Sequence, residues 1–194
     1  MEDHLKIKVI LGSTRPTRFS EYPGRWIFDI LKKREGVDAE LLDLRDYEMP
    51  LFNEAQTPSS KKEPYKNEAV ARWSKKIAEA DAFIIVSPEY NRGPSGVLKN
   101  ALDWVYPEWN QKAVAFVSYG TVGGARAIEA LRISAIELQM APIRNSVNIP
   151  SHWNLRESDG SLKVGALDTY ERAAEGMIDQ LIWWTKVLKR AREQ

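Results

Sequence analysis

Residues 12–20 have the side chains of a phosphate-binding loop. They include four hydroxyl groups, two arginines and no carboxylate, and they lead directly into a predicted helix. A bound phosphate needs hydroxyl and backbone N–H donors, a helix N-terminus and fixed positive charge. The candidate phosphate ligands are Ser13, Arg15, Arg18 and Ser20. The segment is not a P-loop, because the Gly-Lys-Ser/Thr ending is missing. In the alternative interpretation, Ser20 is only a helix N-cap and both arginines are solvated.

Residues 87–96 predict a shaped turn, because two prolines and two glycines restrict the backbone. Such a turn can present backbone N–H groups to the N5 atom and the pyrimidine edge of a flavin, with Tyr90 available for ring contact. The alternative is an ordinary turn in which Ser95 is the N-cap of the next helix. Composition alone leaves these two interpretations open.

Residues 118–125 contain three glycines, Gly120, Gly123 and Gly124, at a predicted strand-to-helix turn. Glycine allows the backbone to approach a flat ligand closely. The spacing resembles a relaxed dinucleotide fingerprint, but that motif belongs on the first strand-to-helix turn and this is the fourth. The alternative is that these glycines serve only tight packing.

The elements that must position these segments are five strands alternating with five helices. Strands are predicted at 7–11, 39–44, 83–86, 113–117 and 143–147, and helices around 26–31, 70–78, 97–105, 128–138 and 170–188. This alternation predicts one parallel sheet with helices on both faces. Ligands of such sheets lie beyond the carboxyl ends of the strands. The three segments follow the first, third and fourth strands, so we expect them at one edge of the sheet.

At these positions the chain resembles the NADPH-dependent FMN reductase family. The resembling blocks are Gly12-Ser13-Thr14-Arg15, Pro50-Leu51-Phe52, Pro88-Glu89-Tyr90-Asn91, Leu98-Lys99-Asn100-Ala101-Leu102-Asp103-Trp104, and Ser118-Tyr119-Gly120 with Gly123-Gly124. The blocks occur in the family's order and extend over most of the chain. The resemblance implies an α/β, flavodoxin-like three-layer sandwich with a five-stranded parallel sheet of order 2-1-3-4-5. It also implies bound FMN, NADPH or NADH as hydride donor, and a homodimer or homotetramer.

The resemblance also implies roles for individual residues. By motif position, phosphate contacts fall on Ser13, Arg15 and Ser20. Contacts to the isoalloxazine ring and the ribityl chain fall on Pro88, Glu89, Tyr90, Asn91, Ser118, Tyr119 and Gly120. Gly123 and Gly124 complete the candidate cofactor site. Arg92 and Gly93 depart from the family pattern, and we expect them at the substrate face.

These features predict an FMN-dependent oxidoreductase. Hydride would pass from NAD(P)H to FMN and on to a quinone, flavin, azo or nitro compound or metal oxyanion by a ping-pong mechanism. No side chain is required as acid or base, because the cofactor carries the chemistry. The alternative is a flavodoxin-like electron carrier, against which the net charge of +1 and the two loop arginines count. A Rossmann-type NAD-binding or nucleotide-sugar enzyme would need the glycines on the first turn.

The composition of the chain argues against several other classes of protein. The chain has 28 basic and 27 acidic residues, so no overall charge draws it to nucleic acid or membrane. It has no cysteine, and its two histidines, His4 and His152, lack partners at metal-ligand spacing, so no metal site is predicted. The apolar run at residues 5–11 is interrupted by lysines and resembles neither a signal peptide nor a membrane span. We therefore expect one domain, residues 1–194, in the cytoplasm.

Three further expectations concern residues outside these motifs. His152 is interpreted as a loop residue beside Trp153. Trp183 and Trp184 are adjacent and cannot share a helix face, so one is expected in the core and the other at a partner subunit. The basic pair Lys61-Lys62 and the cluster Lys189, Arg190 and Arg192 are expected to be solvated.

Overall fold

The computed structural model describes residues 4–60 and 64–194. Within these residues, five parallel strands form one sheet of order β2-β1-β3-β4-β5, which confirms the predicted flavodoxin-like topology. The strands are β1 (Leu5–Leu11), β2 (Val37–Asp43), β3 (Ala82–Pro88), β4 (Ala113–Gly120) and β5 (Ala141–Pro150).

Helices cover both faces of the sheet, as predicted. They are α1 (Glu21–Leu31), α2 (Glu68–Ala78), α3 (Gly96–Asp103), α4 (Ala125–Glu137) and α5 (Glu171–Arg192). One hydrophobic core joins the sheet to α1 and α5, and a second joins it to α2, α3 and α4. The fold is therefore a three-layer α/β/α sandwich.

The central strands are apolar along their whole length because both of their faces are covered. In β3, Ile84 and Val86 enter the core under α1 and α5, whereas Phe83 and Ile85 enter the opposite core. Successive side chains of a strand point to opposite faces, so an unbroken apolar run suits a strand buried on both sides.

The edge strand β5 is longer than the predicted strand at residues 143–147. It includes polar residues because only one of its long sides is paired. The backbone N–H of Asn145, which has no neighbouring strand on that side, donates to Gln180 Oε1 of α5 at 2.8 Å. This side-chain contact protects the edge from pairing with another chain.

Two expectations for α5 are wrong. Trp183 and Trp184 are 60% and 37% exposed, so neither lies in the core. The buried stripe of the helix passes instead through Ala174, Met177, Ile178, Leu181 and Thr185. Lys189 and Arg192 are not simply solvated, because both pair with Asp81, at 3.0 and 3.1 Å. Lys61 and Lys62 lie outside the described residues.

Candidate functional site

The loop of residues 12–20, called the first loop below, is held in place by hydrogen bonds to its backbone carbonyl oxygens. In the described part of the chain, three arginine side chains donate hydrogen bonds to them. Arg18 donates to Ser13 O at 2.8 Å, and Arg156 donates to Thr17 O at 3.1 Å. Arg45 donates to three carbonyl oxygens: Thr14 O at 3.4 Å, Pro16 O at 3.2 Å, and Arg15 O. The C=O and N–H groups of a trans peptide point in opposite directions. Fixing the carbonyls therefore also fixes the directions of the N–H groups.

Five N–H groups of the first loop are left for a ligand. Within residues 4–60 and 64–194, no atom accepts from the backbone N–H groups of Ser13, Thr14, Arg15, Thr17 and Phe19. Ser20 holds the N-cap position of α1 but makes no capping bond, and its buried hydroxyl has no partner among those residues. Unpaired donors at a helix N-terminus are the chemistry that binds phosphate. The first loop therefore fits the phosphate of FMN.

Arg18 is buried, so the alternative interpretation in which both arginines are solvated is wrong for this residue. It is 6% exposed, and its guanidinium pairs with both carboxylate oxygens of Asp43, one of them at 2.6 Å. The reason is the parallel pairing of β1 with β2, which brings the end of β2 beside the first loop. Burial alone would raise the pKa of Asp43, but hydrogen bonds from Arg18 and Arg45 outweigh burial and hold this pKa below its ordinary value. Arg18 thus supports the loop from behind.

Arg15 is exposed and lies against the next loop. Its guanidinium carbon is 5.9 Å from the centre of the Tyr90 ring, and the Tyr90 hydroxyl is 3.4 Å from Ser13 Oγ. The structure therefore brings together three predicted site residues from two different loops, and the Arg15 charge is free of any carboxylate among the described residues.

The turn after β3 is closed by two hydrogen bonds between Tyr90 and Gly93, at 2.9 and 3.0 Å. Asn91 and Arg92 both have positive φ, 49° and 68°, as in a type I′ turn. Both side chains are exposed at the tip of the turn. The N-cap interpretation of Ser95 is confirmed, since its hydroxyl accepts from Leu98 N at 3.2 Å.

The end of β4 and the turn after it use their polar and small residues mainly for packing. Ser118 is fully buried and donates to Ser87 O at 2.7 Å, so its side chain is occupied inside the sheet. Gly123 and Gly124 have φ of 70° and 73°, and an added Cβ on Gly124 would lie 1.9 Å from Ser118 Oγ. A Cβ on Gly123 would meet Asn148 at 3.0 Å. These two glycines are explained by backbone conformation and protein contacts, as in the packing alternative.

A cavity of about 160 Å³ lies where the loops meet. It is lined by Arg15, Thr17, Phe19, Pro88, Glu89, Tyr90, Tyr119, His152 and Arg156. Tyr119 is buried, and burial raises its pKa to about 12. Five of the predicted site residues therefore share one cavity: Arg15, Pro88, Glu89, Tyr90 and Tyr119.

Sequence reasoning missed His152 and Arg156. The His152 ring lies 4.7 Å from the ring of Phe19 and 4.9 Å from that of Tyr119. Burial lowers the pKa of His152, and the charges of Arg156 and Arg15 lower it further. The position of His152 directly after β5, at the same edge of the sheet, was the signal that could have found it. Arg156 carries no comparable signal in the sequence.

The Pro50-Leu51-Phe52 block is fixed to α3. The side chain of Asn100 accepts from Phe52 N and donates to Pro50 O, both at 2.9 Å. Between this segment, the first loop and α3 lies a second cavity of about 580 Å³. It is lined by Thr14, Pro16, Leu44, Arg45, Tyr47, Glu48, Met49, Val97 and Asn100. This cavity mixes apolar and polar groups and adjoins the first loop.

Residues 4–60 and 64–194 contain neither a metal-binding cluster nor a membrane-spanning helix. No group of three His, Asp or Glu side chains in residues 4–60 and 64–194 could hold a metal ion. In the same part of the chain, no helix has the length and apolar composition needed to cross a membrane.

Comparison with known proteins gives a consistent assignment. Residues 5–154 match the NADPH-dependent FMN reductase family. An NAD(P)H-dependent FMN reductase of Schizosaccharomyces pombe is 36% identical over 147 residues, which cover 75% of this chain and 74% of that protein. A quinone reductase of Pseudomonas putida is 27% identical over 195 residues, covering 96% of this chain and 98% of that one.

A solved structure has the same fold. The flavoenzyme NAD(P)H:acceptor oxidoreductase FerB of Paracoccus denitrificans superposes with a TM-score of 0.73 at 23% identity, covering 94% of this chain and 97% of that chain. Its sheet and helices support the fold described above. Given the family match over most of its length, the chain belongs to the NADPH-dependent FMN reductase family, whose enzymes use NAD(P)H and FMN.

Proposed function

We propose that this chain binds FMN at the carboxyl edge of its sheet and transfers electrons from NAD(P)H to a small-molecule acceptor. The observation that carries the proposal is the first loop, in which the N–H groups of Ser13, Thr14, Arg15, Thr17 and Phe19 and the Ser20 hydroxyl have no hydrogen-bond partner within residues 4–60 and 64–194. Hydrogen-bond donors beside a helix N-terminus need partners, and a bound anion can accept hydrogen bonds from several of them at once. FMN has a terminal phosphate monoester that suits such a loop.

The residues present divide the work of holding FMN. Ser13, Arg15 and Ser20 would bind the phosphate, while Arg18 and Arg45 keep the loop in shape. The backbone of Pro88-Glu89-Tyr90-Asn91 and of Tyr119-Gly120 would contact the ring and ribityl parts. When bound, FMN supplies the hydride and electron chemistry that side chains lack.

The substrate face is proposed beside Arg92 and Gly93, at the tip of the turn after β3. The similarity to a quinone reductase favours a quinone as acceptor, with free flavin, azo or nitro compounds and metal oxyanions as further candidates. We propose that donor and acceptor use this face in turn. Initial rates at several fixed acceptor concentrations should then give parallel double-reciprocal lines, and intersecting lines would contradict the shared face.

The decisive experiment is an FMN titration of the apoprotein followed by anaerobic reduction. We expect FMN to bind in preference to FAD, and stoichiometric NADH or NADPH to bleach the flavin absorbance before any acceptor is added. Absence of FMN binding would refute the proposal. A protein that binds FMN but is never reduced by either nucleotide would instead be an electron carrier.

We further propose that the chain acts as one domain in the cytoplasm and assembles as a homodimer or homotetramer. Four apolar side chains, Leu51, Val97, Val122 and Trp153, are 81%, 41%, 42% and 50% exposed on the loops and helix start around the carboxyl edge. Apolar side chains grouped on one surface favour association. Light scattering at micromolar concentration tests this, and a monomer there would contradict it.

A further inference from the structure

Glu89, from the turn after β3, is joined to α4, the helix that follows the turn after β4. Its carboxylate accepts a hydrogen bond from Arg126 Nη1 at 2.8 Å and another from the backbone N–H of Arg126 at 3.1 Å. The Glu89 side chain is 8% exposed and that of Arg126 is 39% exposed. One carboxylate thus binds both the side chain and the main chain of the same residue.

The main-chain bond caps α4 from outside the helix. The N-cap residue is Gly124, which has no side chain, and the first turn contains no acidic residue. An N-cap oxygen normally accepts from the second or third N–H group of the helix. Arg126 is the second helical residue after Gly124, so Glu89 takes the place of the missing cap. Its negative charge also suits the positive end of the helix dipole.

A second set of contacts holds the two turns together beside this pair. Glu89 N donates to Tyr119 O at 3.0 Å. A Cβ added to Gly120 would lie 3.1 Å from Glu89 Cβ, so the glycine permits this close approach. The two turns follow neighbouring strands, since β3 pairs with β4. Each of these contacts links the turn after β3 to the end of β4 or to the start of α4, which border the turn after β4.

We propose that Glu89 and Arg126 form a positioning pair with two effects on bound FMN. The pair fixes the distance between the turns after β3 and β4. Arg126 also neutralises a carboxylate in the cavity wall, where an unpaired negative charge would disfavour the more negative, reduced form of the flavin. This inference rests on the proposed function, because it places the flavin between those turns.

Three variants separate geometry from charge. Arg126→Met leaves the Glu89 carboxylate uncompensated, Glu89→Met removes both its charge and its acceptor oxygens, and the double variant removes both charges. Lys32→Met is the matched control, because Lys32 pairs with Asp29 on the exposed side of α1. Arg126→Lys keeps the positive charge and provides a test if Arg126→Met folds poorly.

The measurements are the Kd for FMN, the midpoint potential of bound FMN, and hydrogen exchange of the first turn of α4 in the apoprotein. We expect Arg126→Met to weaken FMN binding about tenfold, because an uncompensated Glu89 carboxylate then lies in the cavity wall and the turns are less firmly held, and to lower the midpoint potential. Glu89→Met should weaken binding and speed exchange without lowering the potential. The double variant and Arg126→Lys should restore the potential, and the control should change nothing.

The proposal is overturned if the Arg126→Met and Glu89→Met variants shift the potential in the same direction, or if exchange in α4 is unaffected by Glu89→Met. A wild-type protein that does not bind FMN would refute the proposed function instead. In that case the exchange measurement on the apoprotein still tests whether Glu89 caps α4.

Discussion

Arg15 and Arg18 lie three residues apart in one loop, yet their replacement by alanine should have different effects. Arg18 makes two hydrogen bonds to Asp43 and one to Ser13 O, all in a largely buried setting. Because the Asp43 side chain is 24% exposed, we place the loss of stability at about 2–4 kcal/mol, below the full value for a buried pair. For a chain of this length the melting temperature should fall by roughly 4–15 °C.

Arg15 should behave in the opposite way. Its exposed side chain contacts the ring of Tyr90, so the Arg15→Ala apoprotein should melt within roughly 2 °C of the wild type. Its FMN affinity should fall by about 1.5–3 kcal/mol, or about 10- to 150-fold in Kd, as for a charge-assisted hydrogen bond to phosphate. The loss should be smaller at high ionic strength, because salt screens an exposed charge.

The pH dependence identifies the partner of Arg18. The pKa of Asp43 is lower in the folded protein than in the unfolded chain. The stabilisation from this group is therefore present above the unfolded pKa and is lost as the pH falls through the depressed folded value. The difference in stability between wild type and Arg18→Ala should accordingly be full at neutral pH and shrink in acid.

The assay combines thermal unfolding of the apoproteins, from neutral to acid pH, with FMN titration at a temperature where every variant is folded. Arg25→Ala is the control, since Arg25 forms an exposed ion pair with Glu21. The reasoning is refuted if Arg18→Ala melts like the wild type. It is equally refuted if Arg15→Ala destabilises the apoprotein as much as Arg18→Ala does.

Four further substitutions test individual features. Ser20→Ala should weaken FMN binding without lowering apoprotein stability, because the buried hydroxyl has no partner within residues 4–60 and 64–194; titration and melting show this. Gly124→Ala should cost at least about 2 kcal/mol in urea unfolding, through positive φ and a clash with Ser118, and a smaller loss would contradict the packing role. Arg92→Gly should raise stability by up to about 1 kcal/mol in the same assay, since glycine adopts φ of 68° without strain. Gly93→Val should fold normally, because its φ is not positive and the nearest atom to an added Cβ is 3.8 Å away. Stopped-flow kinetics should show it slowing both flavin reduction and reoxidation.

The core elements of the fold could be predicted from local patterns. β3 is apolar along its whole length, and α2 carries an apolar stripe at helical spacing. Each pattern shows which faces of that element are buried, whatever the element packs against. The alternation of strands and helices then restricts the sheet to parallel topology, because right-handed crossovers place helices on its faces. The least regular strand, β5, was also the least accurately bounded, since one side of it faces no strand and its burial is incomplete.

The meeting of the three candidate loops could likewise be predicted from the sequence. The loops after β1, β3 and β4 reach the same edge because parallel strands end together, and Arg15, Tyr90 and Tyr119 meet there. The sequence did not determine which side chains of these loops point toward a ligand. Ser118 and Gly124 were predicted to contact the cofactor. In the structure, Ser118 instead donates to Ser87 O within the sheet, and Gly124 packs against Ser118.

Tertiary structure alone decided the partners that give the site its shape. Arg18 meets Asp43, 25 positions away, and Glu89 meets Arg126, 37 positions away. His152 reaches Phe19 through an edge strand. The spacing of apolar and polar residues shows which face of a helix or strand is buried, because this spacing depends on that one element alone. The choice of an ionic or aromatic partner depends on strand register and helix placement, which arise only when separate elements pack.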